Sequence, residues 1–202
     1  IDVAANWKLT VEAQLEAYHV NTIHQTTAAR FLDQRAMTAS LLGRGHSRFF
    51  VGYHNGIHFQ YPHPYFPQFD DVISEGSFSY TAFPNLVTIN APNMISAMTF
   101  WPLSASTIRY DMHYIGAAPF KDPEHAGMGR QINLNTVIFQ EDLSNLPSMQ
   151  ASIAAGVIDH VRFGYQECRL YYLHEEIDRR IGLHLIPKDL RVTQVLDGWV
   201  ER

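Results

Sequence analysis

The sequence predicts an α+β domain in which a curved antiparallel sheet wraps around a long C-terminal helix, and three observations carry that prediction. Helical spacing of apolar residues opens the chain, a stretch rich in Phe, Tyr, Ile, Val and Thr fills its middle, and helical spacing returns after Gly127. In the first segment Val11, Leu15 and Tyr18 recur at intervals of four and three between Thr10 and about Val20, which sets them on one face of a helix capped by Thr10. The middle stretch runs from about Ser47 to Gly116 and is broken by Asn55-Gly56, Pro62, Pro64, Pro67, Pro84 and Pro92, residues that make turns between strands. Its clearest strands are Ser77 to Ala82, Leu86 to Asn90, Ile95 to Trp101 and Thr107 to Ile115, spaced closely enough to pair antiparallel without crossover helices. Beyond Gly127, Ile132, Val137, Phe139 and Leu143 gather near one side of a helix in which Pro147 predicts a kink or break, and a last helix is expected over Cys168 to Ile181.

All 202 residues read as one domain, since the length suits a single core and no linker-like stretch or internal repeat divides it. With 46% apolar and 17% charged residues, the composition is that of a folded protein rather than a disordered tail. The formal net charge is -5 and the 15 basic residues are scattered, so no cationic stripe exists to neutralise a run of phosphates, and nucleic acid is not expected as a partner. No apolar run approaches the roughly 20 residues that span a bilayer. With no secretory signal at the start either, the expectation is a soluble, cytoplasmic protein without membrane contact. Cys168 is the only cysteine, which excludes an intrachain disulfide and any cluster held by several cysteines of these residues. Because the chain starts at Ile1 and enters patterned sequence at once, a piece of a longer polypeptide is expected.

The segment richest in chemistry is Glu12 to His24, E-A-Q-L-E-A-Y-H-V-N-T-I-H. On a continuous helix Glu12, Glu16 and His19 share a face, a costly arrangement unless something compensates the charges. His19 and His24, five positions apart, would diverge by about 140° on a regular helix. They converge only if the helix ends or bulges after Val20, for which Asn21-Thr22 is the expected place. Two histidines and one carboxylate on one side of a metal form the facial arrangement of non-haem Fe(II) oxygenases, which leaves positions open for dioxygen and substrate. Gln140-Glu141-Asp142, on a predicted helix among apolar neighbours, offers that carboxylate, with Asp142 as first choice and Glu141 as the alternative. Spacing alone leaves a plainer reading open, in which the two histidines are hydrogen-bonded or exposed like others among the 11 in the chain. The H-E-x-x-H pattern of zinc proteases is absent, since Val20-Asn21 follow His19.

Asn6-Trp7-Lys8, Glu12, Glu16-Ala17-Tyr18-His19 and His24 together resemble the entrance to the C-terminal catalytic domain of Rieske-type aromatic-ring-hydroxylating oxygenase α subunits. Phe139-Gln140-Glu141-Asp142, followed by Gln150, is similar to that family's helix bearing the third iron ligand, and the likeness of layout covers most of the chain. The resemblance implies a helix-grip (Bet v 1/START-like) fold and a mononuclear Fe(II) held by His19, His24 and Asp142. It also implies that Glu16, three positions before the first ligand, is the acid that bridges to a cluster-binding histidine of a neighbouring subunit during electron transfer. Many members have Asp there, and the extra methylene of Glu16 makes the bridging geometry less fixed than the ligand set. Tyr18 and Glu12 match family positions as well, with packing of the ligand helix and a local hydrogen bond as the competing reading.

By the same resemblance, a 2Fe-2S Rieske cluster is expected only on an upstream domain of about 100 to 150 residues, fed by a ferredoxin or flavin reductase, within a homotrimer. The implied reaction is mono- or dioxygenation of an aromatic or other small organic substrate with dioxygen. Its pocket is expected between the sheet and the Asp142 helix, lined by Gln14, Leu15, Val20, Met98, Phe100, Asn135 and Ile138, each of which also reads as ordinary core. A non-catalytic helix-grip ligand-binding domain is the main rival, and a zinc hydrolase using the same three ligands is a third reading.

Three further patterns are read as structural. Arg109, Asp111 and His113 alternate with Tyr110, Met112 and Tyr114, as on a strand with one solvated face. His46, His54, His58 and His63 lack a repeated ligand spacing. Glu175, Glu176, Asp178, Arg179 and Arg180 read as an exposed helix face with local ion pairs.

Overall fold

The computed structural model describes residues 1–61, 64–69, 71–118, 126–158 and 160–201, so that Pro62 and His63 lie outside the described residues. Its strands are β1 (Asp2–Val3), β2 (Leu32–Leu42), β3 (Ser47–Tyr53), β4 (Gly76–Ala82), β5 (Leu86–Ala91), β6 (Met94–Ser104), β7 (Thr107–Gly116) and β8 (Val200–Glu201). They form one sheet in the order β1-β7-β6-β5-β4-β3-β2-β8. Pairing is antiparallel from β1 to β2, as expected, while β8 adds a parallel contact with Leu41 opposite Val200. The helices are α1 (Trp7–Glu12), α2 (Val20–Ile23), α3 (Ala126–Ala154) and α4 (Cys168–Ile181).

The sheet curves around the helices because its inner face is apolar at every second residue. On β6, Met94, Ser96, Met98 and Phe100 are buried while Ile95, Ala97 and Thr99 are only half-buried. Met98 and Phe100 join Val87, Ile108 and Tyr110 from neighbouring strands, Phe139 and Leu146 from α3, and Leu170 and Leu173 from α4 in the main core. Burying each large side chain contributes about 1.5–3 kcal/mol. On β7 the expected polar face is seen, with Arg109 and His113 exposed and Arg109 paired to Asp2.

Three expectations about the helices need correction. The first helix runs over Trp7–Glu12 with Asn6 as its cap, Asn6 Oδ1 accepting from the Lys8 N–H at 2.9 Å, rather than from Thr10 to Val20. The chain leaves that helix at Ala13, because the Glu16 carboxylate takes the backbone N–H groups of Tyr18 and His19, donors that a continuous helix would send to carbonyls four residues back. Pro147 does not break α3, which continues to Ala154; the proline is exposed, where water can reach the carbonyl left without its N–H partner. The acidic run of α4 is not an exposed face: Glu175, Glu176 and Asp178 are 0%, 5% and 8% exposed. The C-terminal segment covers them, with Val195 and Leu196 N–H donating to Glu175 and Val192 N–H to Asp178.

Candidate metal centre

His19 and His24 flank the one-turn helix α2, as its N-terminal and C-terminal caps. The expected break after Val20 is therefore not there: Asn21-Thr22 sit inside the helical turn, which ends at His24, and the irregular stretch lies ahead of His19, in residues 13–19. The two rings stand edge to face with centroids 5.0 Å apart. From α3, Asp142 points its Oδ1 at both, 3.0 Å from His24 Nε2 and 3.5 Å from His19 Nε2. One donor atom from each of His19, His24 and Asp142 lies within 4.8 Å of the others.

Every remaining polar atom of the trio is held. The Glu16 carboxylate meets His19 Nδ1, and Glu141 Oε2 meets His24 Nδ1 at 2.7 Å. Gln14 Nε2 donates to Asp142 Oδ2 at 3.1 Å. A carboxylate only accepts, so each imidazole donates from Nδ1, His19 to Glu16 and His24 to Glu141, and each turns its Nε2 edge toward Asp142 Oδ1, the edge at which a metal would replace a proton. Burial disfavours a charged His24, but its bonds and attraction to Asp142 and Glu141 outweigh that and hold its pKa above the usual histidine value. Among the described residues no Lys or Arg bonds to Glu16, Glu141 or Asp142, so three carboxylates face two imidazoles without a fixed cation. Two nitrogens, one carboxylate oxygen and an excess of negative charge fit a divalent metal of the facial-triad kind.

The turn that carries Glu16 and His19 is anchored from the far side of the fold. Arg169, in the first turn of α4, is 1% exposed. It donates to the Leu15 carbonyl at 3.3 Å, to Ser47 Oγ at 3.0 Å and to Thr81 Oγ1 at 2.8 Å, and its guanidinium lies 4.4 Å over the Phe49 ring. Burial pulls its pKa down to about 9, still above neutral, so the cation persists.

A cavity of about 450 Å³ opens onto the trio. Of the residues expected to line it, Gln14, Val20, Asn135 and Ile138 do. Leu15, Met98 and Phe100 instead lie in the core, because their strand or turn positions point them between the sheet and the helices, away from the opening. Gln14 itself is engaged with Asp142. Unforeseen from the sequence is an aromatic wall of Phe31, Phe49, Tyr53, Phe59 and Tyr61. Phe49, Val51 and Tyr53 alternate on β3, a period-two signal that could have revealed part of it. The Tyr53 and Tyr61 hydroxyls meet at 3.1 Å, and burial raises the Tyr53 pKa so that the phenol stays protonated.

The family model described as the ring hydroxylating alpha subunit (catalytic domain) matches residues 1–183. Comparison with curated proteins gives no match. Among solved structures, the chain is similar to the quaternary ammonium Rieske monooxygenase CntA, with 14% identity and a TM-score of 0.68 over 89% of this chain and 47% of that one. It is also similar to dicamba monooxygenase bound to dicamba, with 16% identity and a TM-score of 0.63 over 91% and 57%. A third similar structure is Pseudomonas putida CBB5 NdmA with caffeine, with 12% identity and a TM-score of 0.57 over 91% and 52%. Those likenesses bear on the fold, which is helix-grip, and the chain spans about half the length of these proteins. No helix among the described residues is long and apolar enough to cross a membrane.

Proposed function

The chain belongs to the family of ring-hydroxylating α-subunit catalytic domains, and from that premise we propose that His19, His24 and Asp142 hold a mononuclear Fe(II) at which dioxygen is activated to hydroxylate a small organic substrate. The observation that carries this reading is the convergence of two imidazole Nε2 atoms and one carboxylate oxygen at the mouth of an apolar cavity. The chemistry available at that position, when iron is bound, is reductive activation of dioxygen beside the substrate.

This chain's own residues do the rest. Glu16 and Glu141 keep the Nδ1 protons in place, and Gln14 orients Asp142. Phe49, Val51 and Ile138 exclude water and hold an apolar or aromatic body, while the Tyr53–Tyr61 hydroxyl pair can donate to a polar group on it. One or two oxygen atoms then enter the product.

Electrons come from outside these residues, since Cys168 alone cannot hold a cluster. We place their source in a 2Fe-2S Rieske domain upstream, supplied by a ferredoxin or flavin reductase in the cytoplasm. Glu16 is the bridge, next to exposed Tyr18, and the partner cluster belongs to a neighbouring subunit of a homotrimer.

Metal analysis of protein purified without air, with His19→Ala and Asp142→Ala alongside, tests the proposal. Near-stoichiometric iron that both substitutions abolish is the expected result. Absence of iron uptake, or uptake indifferent to both changes, leaves a non-catalytic ligand-binding domain, and zinc with hydrolytic activity would favour the hydrolase.

A further inference from the structure

We infer that Glu141, locked by Thr27, is the positioning residue for His24 and takes no part as a ligand. This rests on the metal reading above. Glu141 and Asp142 are consecutive on α3, and consecutive helix positions diverge by about 100°. The two carboxylates thereby straddle one imidazole, Asp142 Oδ1 at 3.0 Å from Nε2 and Glu141 Oε2 at 2.7 Å from Nδ1. The nitrogens lie on opposite edges of the ring, so Glu141 cannot join the ligand atoms without releasing His24.

Thr27 supplies the second half of the device. Its hydroxyl donates to the same Glu141 Oε2 at 2.6 Å, and its N–H bonds the His24 carbonyl at 3.0 Å in the turn that follows the histidine. One carboxylate oxygen thus receives two donors from a four-residue turn, which fixes the Glu141 rotamer and the ring plane together. The side chain of His24 is 3% exposed and that of Glu141 is 25% exposed, so the ring is held from the wetter side and presents Nε2 to the drier one. An imidazole oriented and made more basic by a carboxylate binds metal more tightly, typically by about 10–100-fold.

The test is the dissociation constant for Co(II), measured without air by its visible absorption, for wild type, Glu141→Ala, Glu141→Gln and Thr27→Val, with the melting temperature of each protein before cobalt is added. The expected result is a Kd raised about 10–100-fold in Glu141→Ala, less in Glu141→Gln and least in Thr27→Val, with altered cobalt band intensities and melting temperatures close to wild type. Wild-type affinity and spectrum in Glu141→Ala, where Asp142→Ala binds nothing, would overturn the inference and leave the metal reading intact. Failure of the wild type itself to bind cobalt would overturn both. Should Glu141→Ala not fold, the near-isosteric Thr27→Val decides, and an unchanged Kd there counts against the lock.

Discussion

Carboxylates are buried on both long helices, and their partners differ. On α4, Glu175 and Glu176 are met by Arg179 and Arg180, and the C-terminal segment adds backbone N–H donors to Glu175 and Asp178. On α3, Glu141 and Asp142 meet imidazole nitrogens, a threonine hydroxyl and a glutamine amide, with no guanidinium or ammonium among the described residues. The first cluster is closed: its charges are balanced by groups that cannot leave at neutral pH. The second is open at one point, where Asp142 Oδ1 faces two imidazole Nε2 atoms. Burial of acid is therefore no guide to function by itself; what balances the acid is.

That contrast can be broken from either side. The largest loss of stability is expected for Glu175→Ala, which strands the N–H groups of Val195 and Leu196 and should cost about 3 kcal/mol in urea unfolding, with cobalt affinity unchanged. Glu176 gives the next effect, visible as acid sensitivity. Burial works against its charge, but hydrogen bonds from Arg180 and Arg179 prevail and lower its pKa from the usual 4.5. The stabilisation is thus complete above pH 4.5 and lost as pH falls through the lower folded value. Glu176→Gln should flatten that acid limb when urea midpoints are followed downward in pH. Smallest in stability is Asp142→Asn, about 1 kcal/mol or less, because the new amide can donate to an Nε2 lone pair; iron uptake should nevertheless vanish. A Glu175 variant that lost metal, or an Asp142 variant that unfolded, would erase the distinction.

The same contrast explains what the sequence could reveal. The strands from Ser77 to Ile115 and the helix Cys168–Ile181 were legible because period-two or period-3.6 patterning ran between clear breakers. Strand β2 was not, since Leu32–Leu42 has no regular alternation of buried and exposed residues. The three candidate ligands could be named from residue types, spacing and family likeness, and the fold brings them together. The chain breaks ahead of His19 rather than after Val20 because a side chain, the Glu16 carboxylate, takes the N–H groups of Tyr18 and His19, which apolar spacing does not reveal. The burial of Glu175 is not legible in the sequence because its partners lie about twenty residues further on. The alternation of Met98 and Phe100 on a strand shows which face they share, yet not how deep along it the opening lies, which is why the core and not the cavity holds them.

Arg169 ties the site to the last helix. Its three hydrogen bonds reach across 88, 122 and 154 positions of sequence, joining the last helix to two strands and to the turn ahead of His19. Contacts of such separation carry a large loop-closure cost, and the turn is held in its final position only where α4 is docked on the sheet. A metal held by His19, His24 and Asp142 would therefore depend on the docking of the last helix.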